Sequence, residues 1–130
     1  MHLVFAIIMI ICLVGLPAYG QNQDTLTPEY AKCMTDAGGV DPAMIQCIEA
    51  ETKRQDKKLN ETYQKLLRKL SPKRQQELLA TQRLWIKYTE ANCNFYYDPD
   101  GGSATRLGAY DCAMNAKAAR AKELESFLVP

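Results

Sequence analysis

The sequence predicts an all-α fold, a small disulfide-stapled helical bundle of one short and three long helices. Three observations predict it. Proline stands one residue after a helix-capping residue three times, at Thr27-Pro28, Asp41-Pro42 and Ser71-Pro72, the arrangement that opens helices. Apolar residues recur at spacings of three and four, which line one face of a helix. Four cysteines in the body of the chain are placed symmetrically about two turn sequences. No strand-like alternation, internal repeat or low-complexity tract competes with this reading.

Ahead of the helices, Leu3 to Leu16 is an almost unbroken apolar run, followed by Pro17 and the small-residue pattern Ala18-Tyr19-Gly20. That layout predicts a secretory signal peptide over 1–20, a flexible N-terminal segment over 21–27 and one helical domain over 28–128. No Lys or Arg precedes the run. A retained anchor would need about 20 apolar residues, and Gly15 and Pro17 interrupt this one, so no stable membrane anchor is expected after cleavage. Cys12 follows Ile10 and Ile11 instead of a small residue, and reads as an apolar residue of the discarded peptide.

The first helix is expected over 28–37, ended by Gly38-Gly39 with the left-handed geometry a helix C-terminus favours. The second runs from Pro42 to about Leu70 and carries Met44, Ile48, Leu59, Tyr63, Leu66, Leu67 and Leu70 along one stripe. Its charged middle, 51–58, reads as a solvated stretch with local ion pairs. The third helix, from Pro72 to about Tyr96, sets Leu78, Leu79, Gln82, Trp85, Ile86, Thr89 and Cys93 on one side. Gln82 on an apolar face must find hydrogen-bond partners, so it reads as a contact between helices. After the turn Asp98-Pro99-Asp100-Gly101-Gly102, a fourth helix opens at Ser103 or Thr105 with Leu107, Tyr110, Met114, Ala118, Ala121, Leu124 and Leu128. Its alanine-rich middle permits close packing in a bundle.

Removing the leader takes Cys12 with it and leaves Cys33, Cys47, Cys93 and Cys112, an even set in a chain bound for an oxidising compartment. Four cysteines allow three connectivities. In an antiparallel helical hairpin, residues equidistant from the turn face each other. Cys33 and Cys47 flank Val40 symmetrically, and Cys93 and Cys112 flank the Gly102-Ser103 junction, so Cys33–Cys47 and Cys93–Cys112 are the expected bridges. Each would stabilise the fold by roughly 3 kcal/mol through loop-closure entropy.

The composition excludes several chemistries. The only histidine, His2, lies in the leader, so histidine-based triads, cysteine–histidine dyads and histidine-ligated zinc are excluded from the mature domain. With the cysteines bridged, no thiolate remains as nucleophile or metal ligand, and no metal or other cofactor is expected. Asp98-x-Asp100-Gly101 imitates the start of a calcium loop, but Ser103 and Ala109 stand where an EF-hand needs glycine and a bidentate acid; the stretch reads as a turn. Glu49, Glu51, Glu61, Glu77 and Glu90 could supply the paired carboxylates of a glycosidase, but nothing sets any pair apart, and the chain does not read as an enzyme. Sixteen basic residues against fifteen acidic ones give no clustered positive surface for nucleic acid. The densest basic group, Lys65, Arg68, Lys69, Lys73 and Arg74, complements the dipole at the end of the second helix.

An ordered set of residues then carries a family resemblance: Cys47-x3-Glu51; Leu59-Asn60-x2-Tyr63-x2-Leu66; Gln82-Arg83-x-Trp85-Ile86-x-Tyr88; Ala91-x-Cys93; Gly101-Gly102-Ser103; Cys112; and Arg120-x3-Leu124. This pattern resembles the lysozyme inhibitor LprI-like N-terminal domain over about Cys33 to Leu124. Thr81 and Lys117 stand where similar sequences often carry Ala and Thr. The resemblance implies a secreted or periplasmic bacterial envelope domain that binds a protein partner and inhibits lysozyme-type cell-wall hydrolases. The other reading is a general envelope interaction or structural domain with a different partner.

Asn60, Tyr63, Gln82, Arg83, Trp85 and Arg120 are spaced to lie between helices. They are expected to fix helix register through hydrogen bonds and an Arg120–Glu51 pair. For a partner, the segment 96–106 is the best candidate contact: Tyr96, Tyr97, Ser103 and Arg106 sit on a turn held by the expected Cys93–Cys112 bridge; the other reading of this turn is a simple helix connector. An inhibitor near neutrality forgoes the electrostatic steering that an acidic one would have toward a cationic lysozyme.

Overall fold

The computed structural model describes residues 25–129. The leader reading and Cys12 lie outside the described residues. Four helices follow one another: α1 over Pro28–Ala37, α2 over Asp41–Lys69, α3 over Pro72–Tyr96 and α4 over Ser103–Ser126. No strand occurs among the described residues, and none of the described helices is long and apolar enough to cross a membrane.

Each break has a local cause. Thr27 caps α1 with its hydroxyl, which accepts from the Tyr30 N–H, and Gly38 closes the helix at φ 58°, a conformation that side chains with a Cβ adopt at a cost. Asp41 was expected to cap α2 but lies inside it. Val40 is the capping residue, and Asp41 takes the first turn, where a carboxylate faces the positive end of the helix dipole. Between α2 and α3, Ser71 occupies the cap position without a side-chain bond. The Gln75 amide does the sealing, donating to the Leu67 and Leu70 carbonyls at 3.0 and 3.1 Å; the Leu67 carbonyl also accepts from the Leu70 N–H, so the end of α2 is closed by backbone and side chain together.

α4 is the central helix, packed most extensively on α2 and also on α3, while α1 packs on α2. Its buried face is Met114, Ala118, Ala121 and Leu124; two alanines in the middle let α2 approach closely. Leu59 and Leu66 from α2, Leu78 from α3 and Ala121 and Leu124 from α4 form the core, with Tyr63, Leu67, Leu70, Trp85 and Leu128 packed around it. Disulfides join Cys33 to Cys47 and Cys93 to Cys112, one across each of the glycine-containing turns.

Two expectations about the helix faces need correction. The charged middle of α2 is not uniformly solvated: Glu51 and Gln55 are buried, because that turn faces the start of α1. On α3, Leu79 and Ile86 are exposed, since α3 meets the rest of the bundle along a narrower line than its apolar content suggests.

Candidate functional site

Two polar nodes and one exposed end organise the chemistry. The first node is Glu51, wholly buried one helical turn beyond Cys47. Its carboxylate accepts from the Thr27 N–H at 2.9 Å and the Thr27 hydroxyl at 2.6 Å, from Arg54 Nε at 2.6 Å and from Gln55 Nε2 at 2.7 Å. Burial pushes the carboxyl pKa up, but these donated hydrogen bonds outweigh burial and hold it below the ordinary value. Since Thr27 also caps α1, Glu51 and the Cys33–Cys47 bridge fasten the same short helix at two points. The carboxylate's acceptor sites are occupied by structural donors, which suits a clamp and leaves little for acid–base work.

The second node is Arg120, buried on α4. Its Nε donates to Gln82 Oε1 at 2.9 Å across to α3, one terminal nitrogen pairs with Glu123 on the next turn, and its guanidinium carbon stands 5.9 Å from the centroid of the Trp85 ring. The other terminal nitrogen is buried without a hydrogen-bond partner, and the guanidinium as a whole is within reach of the attraction between a cation and an aromatic face. Gln82 is thus the satisfied contact between helices that its position demanded. The expected Arg120–Glu51 pair does not form: each has its own partners, Glu51 toward α1 and Arg120 toward α3. Of the other motif residues, Leu59 is core, Tyr63 and Trp85 are half-buried against it, and Asn60 and Arg83 are exposed. Asn60 reaches only Asp56 on its own helix, at 3.2 Å, so those two do not lie between helices.

At the exposed end, the α3–α4 turn is built tightly. Asp98 accepts from the Asp100 N–H at 2.9 Å through its side chain and from the Gly101 N–H at 3.0 Å through its carbonyl, while the Thr105 hydroxyl donates to the Asp98 and Gly102 carbonyls. A Cβ on Gly101 would come 2.3 Å from the Thr105 methyl, so the turn admits no larger residue there without shifting. Phe95, Tyr96 and Tyr97 are all exposed, Phe95 at 89%. Tyr97 and Arg106 line one open groove of about 570 Å³ together with Glu90, Asn94, Tyr110 and Lys117, floored by Cys93 and alanines of α4. Tyr96 lies outside that groove, near Gly108 on α4, and Ser103 is exposed at the first position of α4. Tyr97 and Arg106 therefore share one surface, and Tyr96 and Ser103 do not line it.

Sequence reasoning missed part of this end. Tyr110 and Lys117 belong to the groove, with Lys117 held by an ion pair to Asp56 of α2. Leu84 and Tyr88 continue the exposed apolar surface back along α3. The signal was present in the spacing of Leu84, Tyr88, Ala91 and Phe95, a second stripe on a helix credited with one. Among the described residues no cluster of His, Cys, Asp or Glu could hold a metal ion.

A family model described as lysozyme inhibitor LprI matches residues 33–124, a span that takes in both disulfides, both polar nodes and the α3–α4 turn. No match was found among curated proteins or among solved structures.

Proposed function

The chain belongs to the lysozyme inhibitor LprI family, and from that premise we propose that it is an exported binding domain that blocks a lysozyme-type cell-wall hydrolase. The observation that carries the proposal is the α3–α4 end: exposed Tyr96, Tyr97 and Arg106 on a turn closed by Cys93–Cys112 and by the hydrogen bonds of Asp98 and Thr105. Exposed aromatic and arginine side chains on a rigid support are the residue types that dominate binding energy at interfaces. Rigidity lowers the ordering cost of association. The bridged cysteines and the leader reading of 1–20 support action outside the cytoplasm, in the bacterial envelope or beyond it.

The inhibitor's role needs no chemistry of its own. An occluding turn stops hydrolysis by filling a cleft that the glycan must enter, and Arg106 offers a guanidinium to the carboxylates that such clefts use. The test is turbidimetric lysis of bacterial cell wall by lysozymes of several classes, with and without excess oxidised protein. Lysis should slow and saturate at one inhibitor per enzyme for at least one class. No slowing with any class overturns the reading and leaves an envelope-binding domain with another partner.

A further inference from the structure

α3 is apolar on two sides. One side meets α4 through Leu78, Gln82, Trp85 and Cys93; the other is Leu84, Tyr88, Ala91 and Phe95, all exposed, with Leu84 at 68%, Tyr88 at 67% and Phe95 at 89%. No described helix packs on this second stripe. Its spacing of four, three and four is the repeat of a helix-pairing seam. At 3.6 residues per turn the four side chains fall in a sector roughly 60° wide, and polar residues bound it: Arg83, Lys87 and Asn94 on one flank, Thr81 and Asn92 on the other. A lipid surface takes a broad apolar face, whereas a narrow seam takes another helix.

We propose that this seam pairs α3 with α3 of a second copy of the chain, antiparallel, about a two-fold axis passing between Thr89 and Glu90. The pattern is self-complementary about that axis. Leu84 meets Phe95 of the second copy at the ends of the seam, and at its centre the Tyr88 ring meets the smallest member, Ala91, which leaves room for the ring where the helices come closest. Lys87 lies across from Asn94 of the second copy, so no like charges oppose along the seam. This is the isologous arrangement of a two-fold dimer, in which one patch serves both partners. With ~150–250 Å² for a wholly exposed aromatic ring, the stripe offers roughly 450 Å² per copy. Two copies with their flanks therefore reach about the 1,000 Å² at which specific association begins, which makes the dimer weak and reversible, in the micromolar range.

Sedimentation equilibrium of the oxidised protein over a concentration series tests this, and lysozyme plays no part in the measurement. A monomer–dimer equilibrium is expected, with Leu84→Glu and Phe95→Lys each weakening it by about tenfold or more. Both changes made in one chain should recover association, because the antiparallel register brings position 84 against position 95. Ala91→Trp adds apolar area but blocks the Tyr88 ring, and should also weaken the dimer. All these side chains are exposed, so helix content by circular dichroism should not change. A monomer up to about 1 mM, well above the expected constant, would overturn the proposal. So would single variants that associate as well as the parent, a double variant that fails to recover, or Ala91→Trp strengthening association.

Discussion

The two disulfide-bearing ends of this bundle are built from similar parts and differ in where they put their polar and aromatic groups. At the α1–α2 end, Cys33–Cys47 is backed by a buried carboxylate that accepts four hydrogen bonds and by a capped helix start. At the α3–α4 end, Cys93–Cys112 is backed by a tight turn, and the aromatic residues beside it are turned to solvent. One bridge therefore protects an interior, and the other stiffens a surface. A cystine alone does not tell which; its neighbours within one helical turn do, Glu51 in the first case and Phe95, Tyr96 and Tyr97 in the second.

The largest test of this contrast is Glu51→Ala. It strands the Thr27, Arg54 and Gln55 donors, and in a buried network that should cost about 3–5 kcal/mol, read as the loss of unfolding free energy in urea. If the cost is below about 0.5 kcal/mol, the value of an ordinary surface substitution, the Glu51 end is not the clamp described. The isosteric Glu51→Gln keeps the shape but loses the charge-assisted bonds, and should fall between.

Next come the bridges. The sequence separations are 14 and 19 residues, so loop-closure entropy assigns each about 3 kcal/mol. Replacing either pair by serine should lower stability by that similar amount. The contrast predicts that function separates them: loss of Cys93–Cys112 should weaken inhibition of lysis well before stability limits it, whereas loss of Cys33–Cys47 should leave inhibition intact at temperatures where the domain stays folded. Equal effects on inhibition would erase the distinction.

The pH dependence is smaller and has a definite sign. The Glu51 carboxyl titrates below its ordinary value in the folded protein, so its contribution is fully present above the unfolded pKa and is lost as pH falls through the lowered, folded one. The stability gap between the parent and Glu51→Gln should therefore be constant near neutrality and close in acid. A gap that widens on acidification would contradict the hydrogen-bond pattern around Glu51.

How far the sequence carried this picture follows from the range of each signal. Helix starts and stops are local, set by Thr27-Pro28, Ser71-Pro72 and Gly38-Gly39, and the four helices lie close to where those residues put them. Gln82 was legible because an amide on an apolar stripe has one sensible use. For Glu51 the motif marked the residue but not its partners: they depend on the chain ahead of α1 folding back so that Thr27 reaches it, a contact 24 residues away, which no local pattern in the charged run encodes. The Arg120–Glu51 pairing failed for the same reason, since both are on packed faces but point to different neighbours. The exposed stripe of α3 was hidden because the apolar content of a helix does not say how many of its faces a neighbour such as α4 covers.

The smallest effect on stability carries the most about function. Tyr97 and Arg106 line an open groove and neither makes a hydrogen bond or ion pair to another described side chain that the fold depends on, so Tyr97→Ala and Arg106→Ala should each change unfolding free energy by less than about 0.5 kcal/mol. If the α3–α4 end is the contact, the same changes should lower affinity for the inhibited lysozyme by about tenfold or more, the loss that removing an interface anchor produces. Arg106→Lys separates charge from shape: it keeps the charge and loses the planar fork, so a carboxylate partner predicts partial recovery and a stacking partner predicts almost none. Loss of stability without loss of affinity would return both residues to the interior economy of the bundle and move the contact elsewhere on the surface.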